Sequence, residues 1–329
     1  MISKNRLAVA AISAGLVTSL LGMGAAQADP TGAPTPRALV GVGSDTTQDV
    51  MNAVANDVVI AGVKQIGSFN ATGSATFNTG KAGCSTVARP NGSGAGRAAL
   101  LNSLNAGDGC IQFSRSSSLT LTASTPSLTY VPFAVDAVSY AITSGSSLPR
   151  SFAKTDLQAI YHCDPNYVGT GPNYAITPIL PQSGSGTRSY WEGQMGITDA
   201  DVVANVYPCI INGVKNGQII EEHTGTALDS KSIVPFSIGQ YTDQSNGLII
   251  DRRGSAVLGV IDGTDPQLIN NSFSVKRDVY NVIPTSQIGT APYSTVFVGG
   301  SSLVCQDTAT ILHYGFATNP NCGSTTNHS

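Results

Sequence analysis

Short apolar runs alternate with glycine- and hydroxyl-rich turns along most of the chain. Residues 38–42, Ala-Leu-Val-Gly-Val, form a strand-like run, and residues 48–54 show helical spacing of apolar positions. The same succession recurs where the strand-like residues 174–180 run into Ser183-Gly184-Ser185-Gly186-Thr187-Arg188 and then a helix start over 189–195. Further helices are expected over 98–101, 155–161, 199–207 and 307–316. A threonine or aspartate precedes the apolar positions of the second of these and can cap it. Residues 129–142 are a long extended apolar run interrupted by one charge, Asp136, and residues 232–241 read as a second extended run. Shorter strands are expected at 248–250 and 279–283. Strands alternating with helices place the chain in the α/β class.

The first 28 residues follow different rules. Lys4 and Arg6 precede an apolar run through Leu21, and Ala26-Gln27-Ala28 supplies small residues for cleavage. This is the pattern of a secretory signal peptide, too short and wrongly flanked for a membrane span. The first cysteine is Cys84, so no cysteine stands ready for lipid attachment at the cleavage point. The mature chain is expected to be secreted and extracellular, with residues 29–37 as a Pro-rich flexible leader. Six cysteines in an exported chain read as three disulfides. Composition leaves their pairing open; the expectation is the sequence neighbours Cys84–Cys110, Cys163–Cys209 and Cys305–Cys322. A metal site at His162 or His313 is the competing use, but CxxC and HExxH spacings are lacking.

The chain has 17 Lys and Arg against 20 Asp and Glu. Without Lys4 and Arg6 the balance is 15 against 20, a net charge of −5. A sparsely charged, mildly acidic chain argues against nucleic-acid binding. It is compatible with a local anion site, and four stretches carry that chemistry. They are Gly43-Ser44-Asp45-Thr46-Thr47, Asn91-Gly92-Ser93-Gly94-Ala95-Gly96, Ser114-Arg115-Ser116 at a strand end, and the Gly-Ser-Gly-Thr-Arg turn. Glycine turns at helix N-termini expose amides at the positive end of the helix dipole, hydroxyls add donors, and arginine suits oxyanions. Single loops of this kind can equally be solvated turns or helix caps. The second stretch lacks the Gly-Lys-Ser/Thr ending of a P-loop.

Together these four stretches resemble the substrate-binding proteins of phosphate ABC transporters, the PstS-like family with the type II periplasmic-binding-protein fold. The resemblance covers nearly the whole mature chain, and the Gly-Ser-Gly-Thr turn is its most specific part. Two features depart from the family. The arginine shortly before that turn is replaced by Leu180-Pro181-Gln182, so Arg188, Arg115 or Arg89 must supply its charge. The acidic residue of the third loop falls near Ser117, so Asp45 must take its place. The resemblance implies two α/β domains, 38–133 plus 237–329 and 134–236, joined by two crossing strands with ligand in the cleft. It implies phosphate or a related tetrahedral oxyanion bound by Ser44, Asp45, Thr46, Thr47, Ser93, Gly94, Ser114, Arg115, Ser116, Ser185, Gly186, Thr187 and Arg188. It further implies a monomer that serves an ABC permease, with no cofactor, metal, nucleic acid, membrane span or catalysis. Two alternatives are a secreted phosphatase or hydrolase on phosphate esters, and a secreted interaction protein of the same fold. The first would need an activated nucleophile or a metal, and the chain has no GxSxG and no metal motif.

Overall fold

A computed structural model describes residues 29–30, 32–168, 175–266 and 273–329. The expected signal peptide lies outside the described residues. At the centre is a ten-stranded sheet. Its main path runs Ile211–Asn212, Thr177–Leu180, Ser232–Ser237, Leu128–Thr143, Lys276–Pro284, Phe113–Ser116, Leu39–Gly43 and Ile66–Ser68. The outer strands on each side pair in parallel, as α/β units require. Two long antiparallel strands in the middle, Leu128–Thr143 and Lys276–Pro284, join the sides.

The buried apolar residues divide the molecule in two. Residues between 39 and 134 and between 279 and 316 build two clusters on one side. Residues from Ala137 to Val275 build two others. The segment 238–275, expected with the first domain, adds Ile238, Ala256, Ile261, Phe273 and Val275 to the second pair of clusters. The expected extended run 232–241 is strand only to Ser237, because Ser237 caps a helix, Ile238–Ser245, by accepting from the Gln240 amide. The cores therefore divide at 134–137 and 275–279, not at 236–237, and the second crossing strand is Lys276–Pro284.

Most of the expected local elements appear. Helix α1 is Gln48–Asp57, α2 is Ser93–Ala106, α3 is Lys154–Tyr161 and α4 is Gly186–Met195. The expected helices at 199–207 and 307–316 shorten to Asp199–Val203 and Thr308–His313. Residues 248–250 form no strand; they border a cavity of about 460 Å³. The three disulfides are Cys84–Cys110, Cys163–Cys209 and Cys305–Cys322, as expected. No helix among the described residues is long and apolar enough to cross a membrane.

Candidate functional site

Three strand-to-helix transitions converge between the two cores. The strand Leu39–Gly43 enters the loop 44–47 and then α1. Gly43 has φ +114, and a Cβ there would lie 2.8 Å from the Arg115 carbonyl oxygen, so glycine alone lets this loop pass so close to the neighbouring strand end. The loop's Ser44 amide donates to the Arg115 carbonyl at 3.1 Å. From the other side, Thr177–Leu180 leads into the turn 183–185 and α4, capped by Ser185 Oγ, which accepts from the Arg188 amide at 3.2 Å. The starts of α2 and of the turn before α4 touch directly: the Gly94 amide donates to the Gly184 carbonyl at 3.1 Å.

Five buried hydroxyls meet at this junction. Thr46 Oγ1 lies 3.2 Å from Ser117 Oγ and 3.3 Å from Thr187 Oγ1, and Ser93 Oγ lies 3.4 Å from Ser117 Oγ. Thr46 Oγ1 also donates to Glu222 Oε1, and Ser185 Oγ donates to Glu222 Oε2 at 3.1 Å. Glu222 is fully buried. Burial alone would raise its pKa, but the charge of His223 and hydrogen bonds from Asp45 and Thr46 hold it below the ordinary value. The junction thus surrounds a buried carboxyl group with partners that favour its charged form.

The charge on the other side comes from Arg277, on the second crossing strand. Its Nη2 donates to Thr187 Oγ1 at 2.6 Å and pairs with Asp136 Oδ2 at 2.9 Å, while its buried Nη1 has no hydrogen-bond partner. Asp136, on the first crossing strand, also accepts from Ser237 Oγ and from the Gly239 amide. Ser44 Oγ and Thr47 Oγ1, both buried, likewise have unspent hydrogen-bonding capacity.

Of the residues expected from sequence, Thr46, Ser93, Ser185 and Thr187 meet in this junction, and Ser44, Asp45, Thr47 and Gly186 belong to the same turns. Asp45 does not cap α1; its Oδ1 accepts from its neighbour, the Thr46 amide, at 3.1 Å. Burial, then the charges of Glu222 and Glu221, push the Asp45 pKa well above the ordinary value against the opposing pull of His223. The arginines behave otherwise than expected. Arg115 turns away and donates to the carbonyls of Ser44, Gly41 and Phe69 and to Ser68 Oγ, fixing the first loop from below. Burial lowers its pKa to about 10. Arg188 points into the second core, where it pairs with Glu192 and Asp199 and donates to Pro181 and Asn212. Arg89 pairs with Asp29 at 2.7 Å. Ser116 Oγ donates to the Ser118 carbonyl, the Ser114 hydroxyl is buried without a partner, and the Gly94 amide is already spent on Gly184.

Sequence reasoning missed Arg277, Asp136, Glu222, Glu221 and His223. The lone Asp136 inside an apolar strand was the one visible signal, since a buried charge needs a partner. His223 sits outside the hydroxyl loops in sequence yet reaches Asp45 in space, its Nδ1 lying 3.9 Å from Asp45 Oδ2.

No protein-family model matches the chain, and no curated protein matches it. Solved structures do. A protein from Clostridium perfringens, described as a candidate phosphate ABC transporter substrate-binding protein with bound phosphate, is 14% identical at TM-score 0.54. That match covers 85% of this chain and 99% of that one. An ABC-type phosphate transport receptor from Vibrio cholerae is 15% identical at TM-score 0.53, covering 85% and 100%. A phosphate-binding protein from Stenotrophomonas maltophilia is 12% identical at TM-score 0.50, covering 87% and 91%. At these identities the likeness establishes the fold: the chain is built as these substrate-binding proteins are.

Proposed function

We propose that the protein is an extracellular receptor that captures inorganic phosphate, or a related tetrahedral oxyanion, between its two halves and delivers it to an ABC-type permease. The observation that carries this reading is the junction of Arg277 with hydroxyls from both halves. An arginine with a free buried donor meets Thr46, Ser93 and Ser117 from one side and Ser185 and Thr187 from the other, and two of these hydroxyls, Thr46 and Ser185, already donate to the Glu222 carboxylate. Donors trained on a buried anion are what an oxyanion needs on leaving water. The incoming anion takes over the donors that Thr46 and Ser185 give to Glu222. Phosphate near neutral pH keeps a proton, so its O–H can donate to a carboxylate, whereas sulfate offers such a group only repulsion. Glu222 and Asp45 supply that acceptor, the part expected of Asp45 alone.

Capture requires the halves to separate and close again about the crossing strands at 134–137 and 275–279. The hydroxyls now lie 3.2–3.4 Å from one another, closer than they can stand with a tetrahedral anion between them. The reading contains no chemical step: Thr46 and Ser185 donate hydrogen bonds to Glu222, and the donors at the junction serve to hold an anion. The fold likeness to binding proteins points the same way. A thermal-shift panel of phosphate, arsenate, sulfate and tungstate on phosphate-stripped protein tests this reading. Phosphate and arsenate should raise Tm by mass action, with sulfate lagging. A flat response to all four anions would contradict it.

A further inference from the structure

Beside the hydroxyl junction lies a cluster in which oxyanion capture leaves Glu221 and His223 without a direct contact to the anion. The buried Asp45 and Glu222 and the partly buried Glu221 bring three carboxylates together with the buried His223. A donor atom from each of Asp45, Glu221 and His223 lies within 4.8 Å of the other two. Asp45 Oδ2 and His223 Nδ1 face each other at 3.9 Å, both side chains almost wholly buried, and neither atom has a hydrogen-bond partner. Glu221 Oε2 approaches the same ring, 3.1 Å from Nε2.

We propose that Asp45, Glu221 and His223 form a binding site for one divalent first-row metal ion, of the zinc or manganese class. One imidazole nitrogen with two carboxylates is a donor set suited to such ions and poorly suited to calcium or magnesium, which prefer oxygen alone. Two atoms 3.9 Å apart can each reach about 2.1 Å from an ion between them, the usual Zn–N and Zn–O distance. The positive charge offsets three carboxylates, two of them buried, that otherwise crowd one another. Arg252 Nη1 lies 2.9 Å from His223 Nε2, which leaves Nδ1 for the ion. The cavity of about 460 Å³ lined by His223, Arg252, Asp49 and Gln240 gives the ion a way in.

The test uses metal alone, in phosphate-free buffer, so that it is independent of the oxyanion reading. EDTA-treated, dialysed mature protein is titrated calorimetrically with Zn²⁺, and separately with Mn²⁺ and Ca²⁺. The expected result is one equivalent of Zn²⁺ per chain, with Ca²⁺ at least 100-fold weaker. His223→Ala and Asp45→Asn should each lower the affinity at least tenfold, and His313→Ala, on the exposed C-terminal helix, should leave it unchanged. Should His223→Ala fail to fold, Asp45→Asn and the X-ray absorption spectrum of the wild-type complex, with one nitrogen among oxygen ligands, decide the matter. Absence of a one-equivalent Zn²⁺ event in wild type would overturn the site, as would folded His223→Ala or Asp45→Asn binding Zn²⁺ as tightly as wild type.

Discussion

The arginine at the junction was not found among the hydroxyl loops because it arrives from a distant strand. Arg115 and Arg188 were plausible because each stands beside serines or glycines in sequence. Both are buried, and both spend their donors inside their own half. Arg277 instead meets Asp136 and Thr187 across long sequence separations, which local spacing cannot reveal. Removing it leaves Asp136 charged and buried. Arg277→Met is therefore expected to cost about 3–5 kcal/mol of stability, read by urea unfolding, and to abolish phosphate binding if the variant folds. A loss below about 1 kcal/mol would mean that Asp136 is satisfied without it. A second buried acid gives a pH signature. Asp243 is fully buried with neither oxygen hydrogen-bonded, and burial, then the charges of Asp49 and Asp136, push its pKa up to about 8. The phenol of Tyr314 lies in the same electrostatic neighbourhood. A folded pKa above the unfolded one means the folded chain holds the extra proton between roughly pH 4 and 8. Stability then falls as pH rises through that window, by up to ~1.4 kcal/mol per pH unit. Asp243→Asn removes this slope, so its advantage over wild type should grow by about 2–4 kcal/mol from pH 5 to pH 8 in paired urea titrations. Parallel stability profiles would refute the assignment.

Strand-to-helix turns were the most legible elements, because capping, glycine and apolar spacing are local causes with local effects. The sequence 183–188 reads as a helix entry on its own, and Ser185 caps α4 as such a residue should. The run 232–241 misled for the same reason. Its apolar residues continue smoothly past Ser237, but that serine caps a helix instead of extending a strand. The place where the cores divide was illegible because it depends on which core residues 238–275 join, a matter of long-range packing. At the junction itself, α4 begins with Gly186, where a Cβ would stand 2.3 Å from Ser93 Oγ and 2.4 Å from Ser117 Oγ. Gly186→Ala should therefore hold the two halves apart. The expected outcome is a larger radius of gyration by small-angle scattering, with phosphate affinity reduced at least tenfold. Scattering and affinity identical to wild type would show that the contact is loose enough to absorb a methyl group.

At the scale of the whole molecule, two cores share one sheet through two crossing strands, and each core carries its own clamps. Cys84–Cys110 and Cys305–Cys322 fasten the half built from both ends of the chain. Cys163–Cys209, with a sequence separation of 46, fastens the other. Replacing Cys163 and Cys209 by serine should cost about 3–4 kcal/mol. It should lower Tm while leaving phosphate affinity nearly unchanged, because the bridge lies away from the hydroxyl junction. The central claim is that one oxyanion draws its donors from both halves at once. Calorimetric titration of phosphate into phosphate-stripped wild type, Thr46→Ala and Thr187→Ala measures this directly, with one donor removed from each half. The account predicts a single site in wild type and a loss of about 1.5–3 kcal/mol in each variant, as expected for donors to a charged group. Wild type that releases no heat with phosphate, or variants that bind as tightly as wild type, would contradict it.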